Sequence, residues 1–333
     1  MKKLATVLTA AALAATIPFG FAACGGEGDN SSVSVYMPDG APALAMARLM
    51  VEEPDFGREV SYNVVNANTI QTYVTGDMAA DVCVLPVNAA ATVAGNGANY
   101  TMLGVVTHGN LYMVSSKYSE EITNSNLTTL VGKSVGCIQL QSFVGTVLKA
   151  ILDDADIEYT VISDASLAES DKVNLINIAN PASEITPAAS FDYMVAAEPV
   201  ITAKTSGGAL SVVGDLQELY GENGYPQAVL IAKNSLIESS PQFIRDLMEE
   251  VEVSAQWINS GEASIDAIIS AVNSNGGANT LTAGNLKADT ISRCAVSFVS
   301  ASDSRSGVLE FIQKYNAVNN TSLTLADSFF YNG

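Results

Sequence analysis

The sequence predicts an α/β fold in two lobes, each a mainly parallel sheet flanked by helices, with a cleft between them. Three observations predict it. Short β-branched runs alternate with segments of helical apolar spacing from Val33 onward, which is the sign of βα units. The alternation runs through once, then begins again near Ser134. About 300 residues follow the N-terminal segment, enough for more than one core.

The chain opens with Lys2 and Lys3, an apolar run from Leu4 to Ile17 and small residues before Cys24. This is the pattern of an export signal over residues 1–23, too short and alanine-rich for a good membrane span. Phe21-Ala22-Ala23-Cys24 resembles the bacterial lipobox, with phenylalanine in place of the usual leucine. The resemblance implies that Cys24 carries a diacylglyceryl group on its sulfur and begins the mature chain. Residues 24–32 are rich in Gly, Ser and acid and hold too few apolar side chains to pack, as a flexible tether requires.

In the body, Val33–Tyr36, Val60–Val65 and Asp81–Val87 read as strands, and 43, 46, 47 and 50 space out a helix between the first two. The first unit is therefore β-α-β-α-β. The second starts with the strand Ser134–Leu140 and a helix bearing Val144, Val147, Leu148 and Ile151 on one face. Runs at YTVIS, VNLINI and DYMVAA continue it as strands. YPQAVLIAKNS returns the chain to the first unit. Ser240-Pro241 then supplies an N-cap and N1 proline for a long helix with apolar positions 244, 247, 248, 251, 255 and 258. ISRCAVSFVSAS is a strand-like interruption before a last helix in SGVLEFIQKYNAV.

Lys+Arg 15 against Asp+Glu 35 gives a net charge of -20. An acidic surface repels phosphate backbones and anionic lipid, so nucleic acid is excluded as a partner and membrane attachment falls to the lipid on Cys24. Cys83, Cys137 and Cys294 lie in apolar runs without CxxC spacing, which predicts buried free thiols rather than disulfides or a zinc site.

Five segments in order, MPDGAPALAMARLM, ADVCVLPVNAA, VGKSVGCIQLQSFVGTVLKAIL, FDYMVAAEPVITA and YPQAVLIAKNSLIESSPQFIRDLMEEVEVSAQWIN, resemble ABC-transporter solute-binding proteins of the nitrate, taurine, alkanesulfonate and thiamine-pyrimidine-precursor group. The resemblance implies a type II periplasmic-binding-protein fold. Lobe 1 is then 33–110 plus 228–333 and lobe 2 is 111–227, with crossings near Gly109–Val114 and Pro226–Leu230. It also implies a monomer on the extracytoplasmic face of the membrane, a small-molecule solute, an ABC permease as partner, and neither cofactor nor metal.

In open α/β sheets ligands lie beyond the carboxyl ends of strands, so the strand-to-helix loops are the candidate walls. After the first strand stand Asp39, Gly40 and Ala41. Asn66, Asn68 and Thr69 follow the second, and Asn88 the third. Gln139, Gln141, Ser142 and Phe143 follow the first strand of lobe 2, where a planar ligand could stack on Phe143. Each loop also has a plain structural reading, as turn or cap residues and as core for Phe143. Glu198 ends DYMVAAEP, a position that faces the cleft in the resembling family, where its carboxylate binds an amine or ring N–H or caps the next helix. His108, the only histidine, adjoins the first crossing as a ligand contact or a structural ring.

No HExxH or Walker motif is present, nor the cysteine-rich motif of the fungal thiamine-precursor relatives, so no enzyme is expected. The candidate loops lack Lys and Arg and carry Asp39 and Glu198. They favour an aromatic, heterocyclic or amine-bearing solute such as a thiamine-pyrimidine precursor. A sulfonate, taurine or nitrate stays open, because helix N-termini bind anions without a basic side chain, and Arg293 is the basic residue with a route to the cleft. A ligand-sensing lipoprotein without a permease also stays open.

Overall fold

A computed structural model describes residues 31–75, 80–97, 99–277 and 280–333. Residues 1–30, with the signal, Cys24 and most of the tether, lie outside that set.

Among the described residues, strands form two six-stranded mixed sheets. The first holds β1 (Val33–Pro38), β2 (Val60–Val65), β3 (Val82–Pro86), β4 (Tyr100–Thr107), β11 (Ala228–Lys233) and β12 (Val296–Ser300), in the order β12-β4-β11-β3-β1-β2. The second holds β5 (Leu111–Ser115), β6 (Ser134–Ile138), β7 (Tyr159–Val161), β8 (Val173–Ile178), β9 (Tyr193–Ala197) and β10 (Ser211–Asp215), in the order β10-β5-β9-β6-β8-β7.

The α/β reading holds, with a qualification to "mainly parallel". In the first sheet β1 pairs in parallel with β2 and β3, but β11 is antiparallel to both β3 and β4 and β12 antiparallel to β4. The second sheet repeats the plan: β6 runs parallel to β8 and β9, while β5 lies antiparallel between β9 and β10. In each sheet the inner antiparallel strand is the one that enters directly from the other lobe. The connecting segments are 108–110, between β4 and β5, and 221–227, ahead of β11. The first is shorter than the sequence predicts, because Leu111–Ser115 is already strand.

A shared anchor marks the two lobes as equivalent units. Ser34 N and Oγ each donate to Asp81 Oδ2 at 2.9 Å, and Lys233 Nζ reaches Oδ1 at 2.8 Å. Ser134 N and Oγ do the same to Asp192 Oδ2 at 2.9 Å, with Lys117 Nζ at 3.2 Å from Oδ1. Asp81 thus ties the start of β1 to the residue before its parallel neighbour β3, and Asp192 ties the start of β6 to the residue before its parallel neighbour β9.

Helices cover both sheets. In the first lobe α1 (Ala41–Ala45), α2 (Ala47–Glu52), α3 (Thr72–Thr75) and α4 (Val87–Gly95) follow the early strands. The predicted single helix after β1 is broken at Met46, whose φ of -102° and ψ of 8° leave the helical ladder. The second lobe has α5 (Phe143–Asp154), α6 (Pro181–Glu184), α7 (Val200–Thr205) and α8 (Leu216–Tyr220). After β11 come α9 (Asn234–Ser239), α10 (Pro241–Asn259), α11 (Ile265–Ser274), α12 (Ala288–Arg293) and α13 (Ala301–Asn319). Ser240 is the N-cap of α10, but its hydroxyl accepts from Arg58 Nη1 rather than capping the helix.

Helix α13 ties the lobes together. Phe311 stacks on Phe143 of α5 with ring centroids 5.2 Å apart, Lys314 pairs with Asp154 at 2.6 Å, and Asn319 Nδ2 donates to Thr146 Oγ1 at 2.9 Å. One apolar cluster in consequence runs from Leu85 and Met102 of the first sheet to Val135 and Tyr193 of the second. Cys83, Cys137 and Cys294 are free and buried as predicted; burial pushes all three thiols up, Cys137 to about 12, so they stay protonated.

Candidate functional site

The carboxyl ends of β1, β2 and β3 face those of β6, β8 and β9 across a cleft of about 570 Å³, within the range of small-molecule sites. The first lobe contributes Asp39, Gly40, Ala41 and Pro42 after β1, Ala67 after β2 and Pro86 at the end of β3, with Ala228, Thr280 and Asn285. The second contributes Ile138, Gln139, Phe143 and Val144, then Pro181 and Ala182, then Ala197 through Val200 with Ala203 and Lys204. Asn110 and Gln227, one on each connecting segment, form its floor. The walls are mostly proline, alanine and branched aliphatic side chains. A larger hollow of about 800 Å³ lies at the other end of the first sheet, near Asn99 and Lys233, but only one lobe borders it.

Of the residues singled out from sequence, Asp39, Gly40, Ala41, Gln139, Phe143 and Glu198 line this cleft. Gly40 has φ 102°, a conformation glycine adopts without a Cβ penalty. Gln139 holds φ 49°, a left-handed backbone uncommon for a side chain of this size and of the kind that gathers at functional turns.

The others sit elsewhere. Asn66 Oδ1 accepts from Asn68 N at 2.9 Å and the Thr69 hydroxyl donates to Asn66 O at 2.9 Å, a self-contained exposed turn that leaves only Ala67 against the cleft. Asn88 faces Tyr315 of α13. Gln141 is exposed and outside the cleft wall, and the Ser142 hydroxyl turns back on Gln139 O at 3.3 Å without capping α5. His108 lines a separate hollow behind the connecting segments, with Gln217, Glu222 and Asp303. Its Nδ1 lies 2.7 Å from Ser297 Oγ, and burial pushes its pKa down, so the ring is neutral.

Two roles change with the geometry. The Phe143 ring packs against Phe311 and lies 5.9 Å from Tyr225, so it meets the cleft from within the apolar cluster. The Glu198 carboxylate is fully buried and engaged within the protein. Thr202 N donates to its Oε2 at 3.0 Å, Thr202 Oγ1 to its Oε1 at 3.1 Å, and Arg293 Nε to its Oε1 at 2.6 Å. Arg293 therefore serves that carboxylate rather than the cleft. Its carbonyl also accepts from Tyr112 Oη at 3.1 Å, and Thr290 Oγ1 lies 2.9 Å from Thr202 Oγ1. Together these contacts join α12 to the second lobe.

Sequence reasoning missed Lys204, Asn110 and Gln227. Lys204 Nζ donates to Ala182 O at 2.6 Å and puts a cation on a wall expected to have none. Asn110 and Gln227 stand where the chain leaves one sheet for the other, and a polar side chain at such a junction is the signal that marks them. Among the described residues no group of three or more His, Cys, Asp or Glu is placed to hold a metal ion, and no helix is long and apolar enough to cross a membrane.

No family model matches the chain, and neither does any curated protein. Solved structures do match it in fold. An ABC transporter protein from Parabacteroides distasonis superposes with a TM-score of 0.70 at 16% identity, covering 90% of this chain and 99% of that one. The zinc-bound ligand-binding component of an ABC-type import system from Staphylococcus aureus gives 0.58 at 11% identity, covering 90% and 96%. The periplasmic aliphatic sulphonate binding protein SsuA from Escherichia coli gives 0.58 at 15% identity, covering 88% and 89%. The chain thus has the two-lobed α/β fold found in ABC-transporter solute-binding proteins.

Proposed function

We propose that this protein is a monomeric extracytoplasmic solute-binding lipoprotein that captures a small solute between its lobes, 33–110 with 228–333 and 111–227, and delivers it to an ABC importer. The observation that carries this reading is the cleft itself: strand ends of both sheets converge on it, and both connecting segments form its floor. Rotation about two short segments closes such a cleft on its ligand and presents a joint surface to a permease. The lipid on Cys24 holds the protein at the membrane.

The apolar walls favour a compact solute with an apolar or heterocyclic body, in line with a pyrimidine or aromatic amine. With Phe143 held in the core cluster and Glu198 paired to Arg293, neither ring stacking nor a free carboxylate underlies that preference. Lys204 supports the alternative, a sulfonate such as taurine.

A thermal-shift screen against pyrimidines, aromatic amines, amino acids, sulfonates and nitrate tests the reading. A ligand that binds only the folded state raises the melting temperature with concentration. A dose-dependent rise for one class supports capture and names the class; no rise across the panel counts against it and favours a sensory or protein-contact role.

A further inference from the structure

The cleft floor holds a chain of amides whose orientation is fixed. Asn110, 3% exposed, donates through Nδ2 to the Glu198 carbonyl at 3.2 Å, which leaves its Oδ1 facing Gln227. Gln227 Nε2 donates to that Oδ1 at 2.8 Å. Exchanging O and N on either amide would set two donors or two acceptors face to face, so the direction of the chain follows from its first bond. The backbone of Gln227 is pinned as well: its N–H donates to Thr107 O at 3.0 Å and its carbonyl accepts from Val87 N at 3.0 Å. At the end of the chain Gln227 Oε1 is buried and has no hydrogen-bond partner.

A buried acceptor without a donor is costly and calls for an explanation. We infer that Gln227 Oε1, held in place by Asn110, accepts a hydrogen bond from the captured solute, so that the solute class is one bearing an N–H or O–H donor. The inference rests on the cleft being the capture site. It separates solutes with an amine, an amide or a ring N–H from purely accepting anions such as an unsubstituted alkanesulfonate or nitrate. Because Asn110 and Gln227 stand on the two segments that join the lobes, lobe rotation uncovers Oε1 for the incoming donor. Satisfying it then favours the arrangement in which both segments are held together.

Titration calorimetry with two probe pairs, 4-aminopyrimidine against pyrimidine and taurine against ethanesulfonate, tests this in the wild type and in Gln227→Met, which keeps length and removes the acceptor. For whichever pair binds, the donor-bearing member is expected to bind about tenfold or more tightly in the wild type, and within about threefold of its partner in Gln227→Met. Equal binding within the pairs, or tighter binding of the donor-free members, overturns the inference and leaves solute capture standing. An undiminished donor preference in Gln227→Met overturns it as well. The absence of binding by all four probes counts against this inference and, joined to a silent screen of the wider panel, against capture in the cleft. Should Gln227→Met not fold, the wild-type comparison alone decides.

Discussion

Arg293 Nε lies 2.6 Å from Glu198 Oε1, an ion pair between residues 95 positions apart that fastens α12 to the end of β9. The Glu198 side chain is fully buried, whereas Arg293 keeps 31% of its side chain exposed. Removing the arginine leaves a buried carboxylate with only the Thr202 N–H and hydroxyl as partners. Arg293→Ala is therefore expected to lower unfolding free energy by about 2–4 kcal/mol, read by urea denaturation. Glu198→Gln keeps one acceptor oxygen and sets an amide NH2 against either Arg293 Nε or Thr202 N, so it is also expected to destabilise, by about 1–3 kcal/mol. An Arg293→Ala protein as stable as wild type would show that the pair contributes nothing across the lobes.

The connecting segments lie too close together for an added methyl. Gly224 has φ 64°, and a Cβ there would come 2.3 Å from the His108 carbonyl oxygen. Gly224→Ala is expected to cost about 2 kcal/mol or more, through strain and overpacking. Gly207, where a Cβ meets nothing within 4 Å, supplies the control: Gly207→Ala is expected to stay within about 0.5 kcal/mol of wild type. Equal melting temperatures for the two variants would refute close packing at the hinge.

His108 gives the stability a pH dependence near neutrality. Burial lowers its native pKa below the ordinary 6.5, so the unfolded chain binds the proton first as the pH falls. The stability of the neutral ring is fully present above 6.5, declines as the pH drops through that value and levels off below the native pKa. The carboxylates of Asp81 and Asp192 act in a lower window. Burial works to raise them, but serine and lysine hydrogen bonds outweigh it and hold both below the ordinary 3.8. Their contribution is present above 3.8 and is lost as the pH falls through the lowered values. His108→Asn is expected to flatten the melting-temperature profile between about pH 7 and 5 and to leave the steep loss below pH 4 in place. An unchanged slope between pH 7 and 5 would contradict a buried neutral histidine.

The elements with a strong local signal were legible in the sequence. Short apolar, mostly β-branched runs bounded by turn residues mark β1, β2, β3, β6 and β9, and Ser240-Pro241 marks the start of α10. Strands β4 and β5 were not, because Met102, Leu103, Leu111 and Met113 are not β-branched and Gly104 interrupts the first run, which weakens the local strand signal. In the cleft, the loops after β1 and β6 were legible because a ligand site beyond strand ends follows from topology. The direction a side chain takes at those loops did not follow. Asn66 and Ser142 spend their hydrogen bonds locally, Phe143 turns into a cluster built by α13, and Glu198 meets an arginine distant in sequence. Asn110 and Gln227 are neighbours only because two chain crossings lie side by side, a relation no local pattern encodes.

The measurement that bears most directly on the central claim is calorimetric titration of the best compound from the thermal-shift panel into wild type and into Ala203→Trp. Ala203 lines the cleft and its side chain is exposed, so tryptophan there fills the cleft without entering the core. Capture between the lobes predicts that Ala203→Trp keeps the melting temperature of the unliganded protein and loses binding about a hundredfold or more. Binding with unchanged affinity in Ala203→Trp would place the ligand elsewhere and contradict the account.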